Sequence, residues 1–395
     1  MQSGEPFTPI SSPKKLLVRG VNWLGDAVMT TPALQRLREH LPDTQITLLT
    51  VETVAEIWQH HSAINSLLSF QPRESLWSVA RRIRTGAFDA ALLLPNSPRA
   101  ALEAWIAGVP ERIGYAAPWR RLLLTREVPR RAESVPMRKR SAREIRTLIA
   151  GRTENHSDRR SSLPASAHQL NEYLRLVSAL GANPAPLSPK LELTAQEARA
   201  AEKILGERAP AAQGFVAPKG GSICLGLNPS AAYGPAKCWP AQRFAAVARE
   251  VLRRVQGSFW LVFGRQADWE LCESVAQRCG GKVANLAGKT SLRELMSLLR
   301  FCRVVLTNDS GPMHVAAALG TSVVVPFGST SAALTGPGLT GDPHHHVLNA
   351  GALCSPCFRR SCPIDLRCMT AITVDSAVDA VLEAIHSHDG PAIAG

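Results

Sequence analysis

No apolar run in this 395-residue chain approaches the roughly 20 residues that span a bilayer, which excludes an α-helical membrane protein. The opening stretch MQSGEPFTPISSPKK has neither a basic n-region nor an apolar h-region, so no secretory signal is expected and the cytoplasm is the expected location. Aromatic residues make up only 5% and are not interleaved with the basic clusters, which speaks against a nucleic-acid surface. The first apolar strand leads into GVNWLGDA rather than G-x-G-x-x-G, which counts against a nicotinamide dehydrogenase. Paired zinc-knuckle spacing is missing among the nine cysteines, and in an unexported chain these are expected to be reduced thiols.

What is present describes a soluble globular protein: 45% hydrophobic residues, 19% charged, and enough length for two domains with separate cores. Short apolar runs alternate with longer helical patterns, the signature of parallel sheets. Strands are expected at 15–19, 45–50, 67–70 and 90–95, then at 224–228, 258–263, 304–307 and 322–327. Helices fit 27–40, 76–85, 99–107, 169–180, 195–207, 241–255, 269–279 and 291–301, with a last one from about 376 to 386. The α/β chain reads as two Rossmann-like halves joined by the proline-rich segment GANPAPLSPKLEL, 181–193.

Three segments carry chemistry. In VVLTNDSGPMHVAAALG, 304–320, an apolar strand turns directly into an Ala-rich helix, and the free amides of a helix start attract an anion without any metal. Asp309 and Ser310 suit the cap, Gly311 admits a ligand to the backbone, and His314 falls on the first turn. An ordinary βα turn capped by Asp309 is the plainer alternative. In LGLNPSAAYGPAKCWP, 225–240, Lys237 is a mobile cation in a loop that also holds Asn228, Ser230, Tyr233, Gly234 and Trp239. A surface lysine beside a tryptophan would look the same. In LLVRGVNWLGDAVMTTP, 16–32, the chain turns at Gly20 and a helix is expected near Gly25, offering Asp26 at the carboxyl edge of the first strand. An acidic residue there is also a common dipole complement.

Together these segments resemble the ADP-heptose glycosyltransferases of lipopolysaccharide core synthesis, glycosyltransferase family 9. The resemblance rests on NWLGDAVMTTPAL (22–34), AYGPAKCWP (232–240), NDSGPMHVAAALG (308–320), PFGSTS (326–331) and the tail CSPCFRRSCPIDLRCM (354–369). It implies the GT-B class, two Rossmann-like domains with parallel sheets facing across a cleft. The N-terminal domain, 14–185, would bind the acceptor and carry the base. The C-terminal domain, 190–375, would bind ADP-heptose, and a helix at 376–388 would return toward the first domain. By the same resemblance Ser230, Tyr233, Asp309, Ser310, Gly311 and His314 sit at the donor, while Lys237 neutralises departing ADP. Ala232 departs from the hydroxyl that relatives tend to offer.

Adenosine is expected near 264–268 and 286–291, with Asp268 either a ribose partner or the cap of the next helix, and Thr290 and Ser291 equally ambiguous. Asp26 is the expected general base for an acceptor hydroxyl in a single inverting displacement, with Asn22 and Gly25 on the acceptor side. No cofactor is required, since the donor is already activated. The alternatives are family members with other core acceptors, or an epimerase or hydrolase on the same scaffold.

The formal charge of +13 and a pI near 9.7 call for an anionic partner. Much of the excess lies in Arg120, Arg121, Arg126, Arg130, Arg131, Arg138, Lys139, Arg140, Arg143 and Arg146. With the resemblance in place, a phosphorylated lipid A–Kdo–heptose acceptor at the inner membrane surface fits this cluster, and a solvated, partly disordered loop is the alternative. Cys354, Cys357, Cys362 and Cys368 follow C-x2-C-x4-C-x5-C, able in principle to offer four thiolates to zinc, although catalysis in this family implies no metal. Cys224, Cys238, Cys272, Cys279 and Cys302 read as small core or surface residues.

Overall fold

Each half of the chain repeats one device: a short run of Val, Leu and Ile buried on both faces, then an amphipathic helix that covers it. The computed structural model describes residues 12–151, 163–208 and 222–387. The first sheet contains β1 (Lys15–Arg19), β2 (Gln45–Val51), β3 (Ser66–Phe70), β4 (Ala90–Leu93), β5 (Glu111–Tyr115) and β6 (Arg126–Val128). All its pairings are parallel, in the order β3-β2-β1-β4-β5-β6. The second contains β7 (Ile223–Asn228), β8 (Ser258–Val262), β9 (Val283–Asn285), β10 (Val304–Thr307), β11 (Ser322–Pro326) and β12 (His345–Leu348). Its order, β12-β11-β10-β7-β8-β9, is again parallel throughout. The two halves therefore share one Rossmann-like winding, and in each the strand order reverses beside the first strand. The carboxyl ends of β1 and β4, and of β7 and β10, are where such sheets hold ligands.

All eight expected strands form. The four not expected, β5, β6, β9 and β12, read ERIGY, REV, VAN and HHVL, too short and too polar to show an apolar run. The single helix expected at 27–40 is two, Leu24–Met29 and Thr31–His40. Pro32 is the cause: it has no N–H to donate and is tolerated only in a first turn, so a new helix starts in front of it. Thr30 and Thr31 turn their hydroxyls back onto the carbonyls of Ala27 and Val28, 2.7 and 2.9 Å away. The helix expected at 195–207 is likewise split, into Ala195–Ala198 and Ala201–Arg208.

The chain divides into two compact units, Met1–Ser134 with Ser166–Glu192, and Val135–Ala165 with Leu193–Gly395. The expected first domain, 14–185, is thus interrupted, because the stretch around 140 packs with the second unit. There the basic segment is not wholly a loop. Ser141 and Glu144 form a reciprocal capping box that starts the helix Ala142–Ala150, and Ile145 on its inner face packs against Cys354 and Cys357. Arg120 also departs from expectation, being fully buried beside Gly114 with its guanidinium donating to Asn96 Oδ1 at 3.1 Å rather than facing solvent.

The last helix, Val374–Ser387, buries Ala377, Val378, Val381 and Ala384 in the core of the second unit, alongside Phe244, Val251 and Val324. Its apolar face is taken up by the second sheet and by the helix Ala241–Arg254. Among the described residues no helix is long and apolar enough to cross a membrane.

Candidate active site

In the second unit the ends of β7 and β10 lie side by side, with Asn228 opposite Thr307. Two buried asparagines fasten the loops that leave these strand ends. Asn228 Nδ2 donates to Thr307 Oγ1 at 3.1 Å and Ser310 Oγ at 3.0 Å. Asn308 Nδ2 donates to Pro229 O at 2.7 Å, and Asn308 Oδ1 accepts from the Trp239 amide at 2.9 Å. The loop from Pro229 to Trp239 is therefore pinned at both ends by one side chain. Trp239 itself is buried edge-on against Phe244, ring centroids 5.2 Å apart, and its indole N–H reaches Ile372 O at 3.2 Å.

Lys237 closes the short 3-10 turn Pro235–Lys237. The turn starts at Gly234, whose φ of 150° and whose approach to Arg360 O, 2.6 Å from where a Cβ would stand, admit only glycine. Lys237 Nζ lies 2.6 Å from Asp309 Oδ2, which also accepts from Thr330 Oγ1 at 2.5 Å. Both partners of this ion pair are largely buried, so the charges attract through a medium much less polarisable than water. Next to it begins the helix Gly311–Ala318. Its N-cap is Ser310 rather than Asp309, and the Ser310 side chain makes no cap hydrogen bond, donating instead to Asn308 O at 3.2 Å. The positive end of the helix is thus presented beside a lysine. His314 is buried in its first turn.

The other expected donor residues hold loops and helix starts in place. Tyr233 donates its hydroxyl to Phe358 O at 2.9 Å, so it ties down a loop, and its ring lies 5.0 Å from Lys237 Nζ. Ser230 Oγ donates to Asp268 Oδ2 at 3.1 Å. The same carboxylate takes a fork from Arg265, 2.8 and 3.0 Å, and the Arg265 amide at 3.2 Å. Burial opposes charge on Asp268, yet the Arg265 bonds and the Ser230 hydroxyl keep its carboxyl below the ordinary range. Asp268 is thereby engaged in the 3-10 turn Gln266–Asp268, and its side chain makes no cap hydrogen bond to the helix Trp269–Cys279 that follows. Ser291 caps the helix Leu292–Phe301 with Glu294 in a capping box.

In the first unit Asp26 stands in the first turn of Leu24–Met29, half-buried, and accepts from Gln169 Nε2 at 3.3 Å. Gln169 also donates to Tyr173 Oη at 3.0 Å. Burial, then the charge of Asp26, pushes the Tyr173 hydroxyl well above its ordinary pKa and keeps it protonated. Behind the turn carrying Asn22 and Gly25 is a charge triad with a buried core: Glu103 receives buried Arg19 at 2.8 Å and the partly exposed Arg99 at 2.7 Å. Burial lowers the Arg19 pKa against the pull of Glu103. Arg19 Nη1 also donates to Gly20 O at 2.6 Å and meets Asn22 Oδ1 at 3.4 Å, and its guanidinium stacks 4.4 Å from the Phe70 ring. The charge network fixes the turn ahead of Asp26. Asn22 is exposed and Gly25 half-buried.

Cys354, Cys357, Cys362 and Cys368 line one cavity of about 10 Å³. Burial, then the neighbouring Cys354, pushes the Cys368 thiol up to about 12. Among the described residues no group of three or more His, Cys, Asp or Glu is arranged to hold a metal ion. Of the remaining cysteines, Cys224, Cys272, Cys279 and Cys302 are buried and Cys238 is half-buried.

Sequence reasoning did not assign roles to Asn308, Thr330, Gln169 or the Arg19–Glu103–Arg99 triad. Asn308 and Thr330 lie inside the NDSGP and PFGSTS runs and were within reach of it. Gln169 and Glu103 pair with residues 143 and 84 positions away, and no local pattern announces that.

A model of glycosyltransferase family 9 (heptosyltransferase) matches residues 149–367. Lipooligosaccharide heptosyltransferase 2 of Haemophilus influenzae is 26% identical over 82% of this chain and 85% of that protein. Lipopolysaccharide heptosyltransferase 2 of Escherichia coli K12 is 25% identical over 82% and 85% respectively. Among solved structures, Escherichia coli ADP-heptose LPS heptosyltransferase II superposes with a TM-score of 0.69 at 22% identity, covering 95% of this chain and 100% of the other. A family 9 glycosyl transferase from Veillonella parvula superposes with a TM-score of 0.73 at 22% identity, covering 95% and 98%. These likenesses carry the fold, the GT-B class of parallel Rossmann-like sheets, and the family match carries the activity. The chain belongs to glycosyltransferase family 9, the heptosyltransferases, and is a glycosyltransferase.

Proposed function

We propose that the protein transfers L-glycero-D-manno-heptose from ADP-heptose to a heptose of the lipopolysaccharide inner core, with inversion, as a heptosyltransferase II. The observation that carries this reading is the Lys237–Asp309 pair at the start of the helix Gly311–Ala318, inside the segment that matches the family. That arrangement supplies a cation and a helix end where a diphosphate leaves. Relatives named heptosyltransferase 2 over most of their length support the acceptor assignment. Asp26 is the proposed general base, taking the acceptor proton as the oxygen attacks the anomeric carbon. No cofactor is needed, because Lys237 and the helix end do what a divalent cation would otherwise do. The enzyme works in the cytoplasm at the inner membrane surface, where exposed Arg143 and Arg146 meet phosphorylated glycolipid.

The test is ADP release from purified ADP-heptose with core acceptors carrying zero, one or two heptoses, each with and without chelator. Turnover dependent on the mono-heptosylated acceptor and indifferent to chelation is expected. Preference for the unheptosylated or the doubly heptosylated acceptor moves the protein to heptosyltransferase I or III, and ADP release without any acceptor overturns the transferase reading.

A further inference from the structure

The cation that serves the donor site does not stand alone. Lys237 is paired with Asp309, and Arg265 with Asp268, so each of these cations shares its charge with a carboxylate and a ligand carrying two phosphates has room for another. One further cation is built against the same loop. Arg360 lies with its guanidinium 5.2 Å from the centroid of the Tyr233 ring, and Lys237 Nζ lies 5.0 Å from that same centroid. The backbone fixes this placement, since Arg360 O accepts the Ala236 amide at 2.9 Å and Arg360 packs on Gly234. The neighbour Arg359 is used differently, donating to Arg140 O at 2.9 Å and Ser361 O at 3.3 Å. Arg360 is exposed, and among the described residues it has no ion-pair partner. An arginine held on an aromatic ring keeps its planar fork free, and that fork matches two phosphate oxygens.

We propose that Arg360 is the second cation of the donor site and binds the diphosphate of the nucleotide together with Lys237. The proposal rests on the reading of this site as a nucleoside-diphosphate cradle and adds to it a residue from the cysteine-bearing loop. On this view the loop carrying Cys354 to Cys368 serves the reaction by presenting Arg360. The Tyr233 hydroxyl on Phe358 O and the Ala236 amide on Arg360 O join the two loops.

The experiment is calorimetric titration of the full chain with ADP, AMP and adenosine, for the wild type, Arg360→Ala, Arg360→Lys and Arg254→Ala. Arg254 is the last residue of the helix Ala241–Arg254, at the end away from the Lys237 loop, is paired with Glu250, and reports the effect of losing net charge alone. Arg360→Ala keeps the Cβ and the carbonyl that support Gly234 and Ala236. It is expected to weaken ADP about tenfold, AMP less, and adenosine within about twofold, with Arg360→Lys recovering part of the loss and Arg254→Ala unchanged. Unchanged ADP affinity in Arg360→Ala overturns the proposal, and so does a parallel loss of adenosine, which would make Arg360 a prop for the loop. Failure of the donor reading looks different: wild-type protein would bind UDP as tightly as ADP. A tenfold loss of UDP in Arg360→Ala would then still support the assignment to the diphosphate.

Discussion

The carboxyl edges of the two sheets have the same topology and opposite character. At β7 and β10 the polar groups are buried and already bonded to one another: Asn228 to Thr307 and Ser310, Asn308 to Pro229 and Trp239, Asp309 to Lys237 and Thr330. At β1 Asp26 is half-buried, and one bond that it accepts, from Gln169, is long at 3.3 Å. The charge network lies behind it, where buried Arg19 and Glu103, with the partly exposed Arg99, shape the turn ahead of the carboxylate. One edge is organised to stabilise charge at a fixed place. The other leaves a carboxylate partly exposed, which is what the proton transfer proposed for Asp26 needs.

The sharpest way to break this contrast is Asp26→Asn. If the first edge supplies only proton transfer, the variant loses about 10³-fold or more in kcat while ADP-heptose affinity stays within about twofold. Single-turnover kinetics beside donor titration separates the two quantities. Near-normal turnover would remove Asp26 from the mechanism, and a matching loss of donor affinity would place it on the wrong edge.

A smaller effect is expected from Asn308→Ala at the other edge. The substitution leaves the Trp239 amide and the Pro229 carbonyl without their partner in a buried site, at a cost of about 2 kcal/mol in stability. It also frees both ends of the loop that carries Lys237, so kcat/KM falls about tenfold or more through KM as well as kcat. Denaturant unfolding and steady-state kinetics check this. Loss of stability with untouched kinetics would show that Lys237 does not depend on the clamp.

Legibility in the chain divides along the same line. The edge at β7 and β10 was legible because its parts are local: NDSGPMH places the strand end, the helix start and Asp309 within a few residues, and GPAK places the turn and its lysine. Buried central strands were equally plain, as in VVLT and SVVVP, whose every residue is inside. Edge strands such as HHVL escaped because half-exposed strands need no apolar run. Long-range pairings escaped too. Nothing near Asp26 announces Gln169, and nothing in the arginine-rich stretch announces that Ile145 would anchor it among cysteines two hundred residues on. The destination of the last helix was hidden for the same reason, since its periodicity shows an apolar face but not which core receives it.

Glu197 tests whether the order at the second edge is local or merely reflects a stiff domain. This residue starts the helix Ala195–Ala198 through a capping box with Thr194 and pairs with Arg293 at 2.5 Å, tying that helix to Leu292–Phe301. The Arg293 hydrogen bond, working against burial, holds the Glu197 carboxyl down at about 2 from its ordinary 4.5. A depressed carboxylate stabilises the fold above its unfolded pKa and stops doing so as it is protonated. The contribution is therefore complete above about pH 4.5 and fades as the pH falls toward 2. Glu197→Gln should cost about 1 kcal/mol at neutral pH, because the pair is partly solvated, and the gap to wild type should narrow through that acid window. Donor affinity should stay where it was, since the clamps made by Asn228 and Asn308 do not involve this pair. If Glu197→Gln weakened ADP binding as much as Asn308→Ala does, the preorganisation of the second edge would be a property of the whole unit, and the contrast between the two edges would rest on stiffness rather than on the residues that line them.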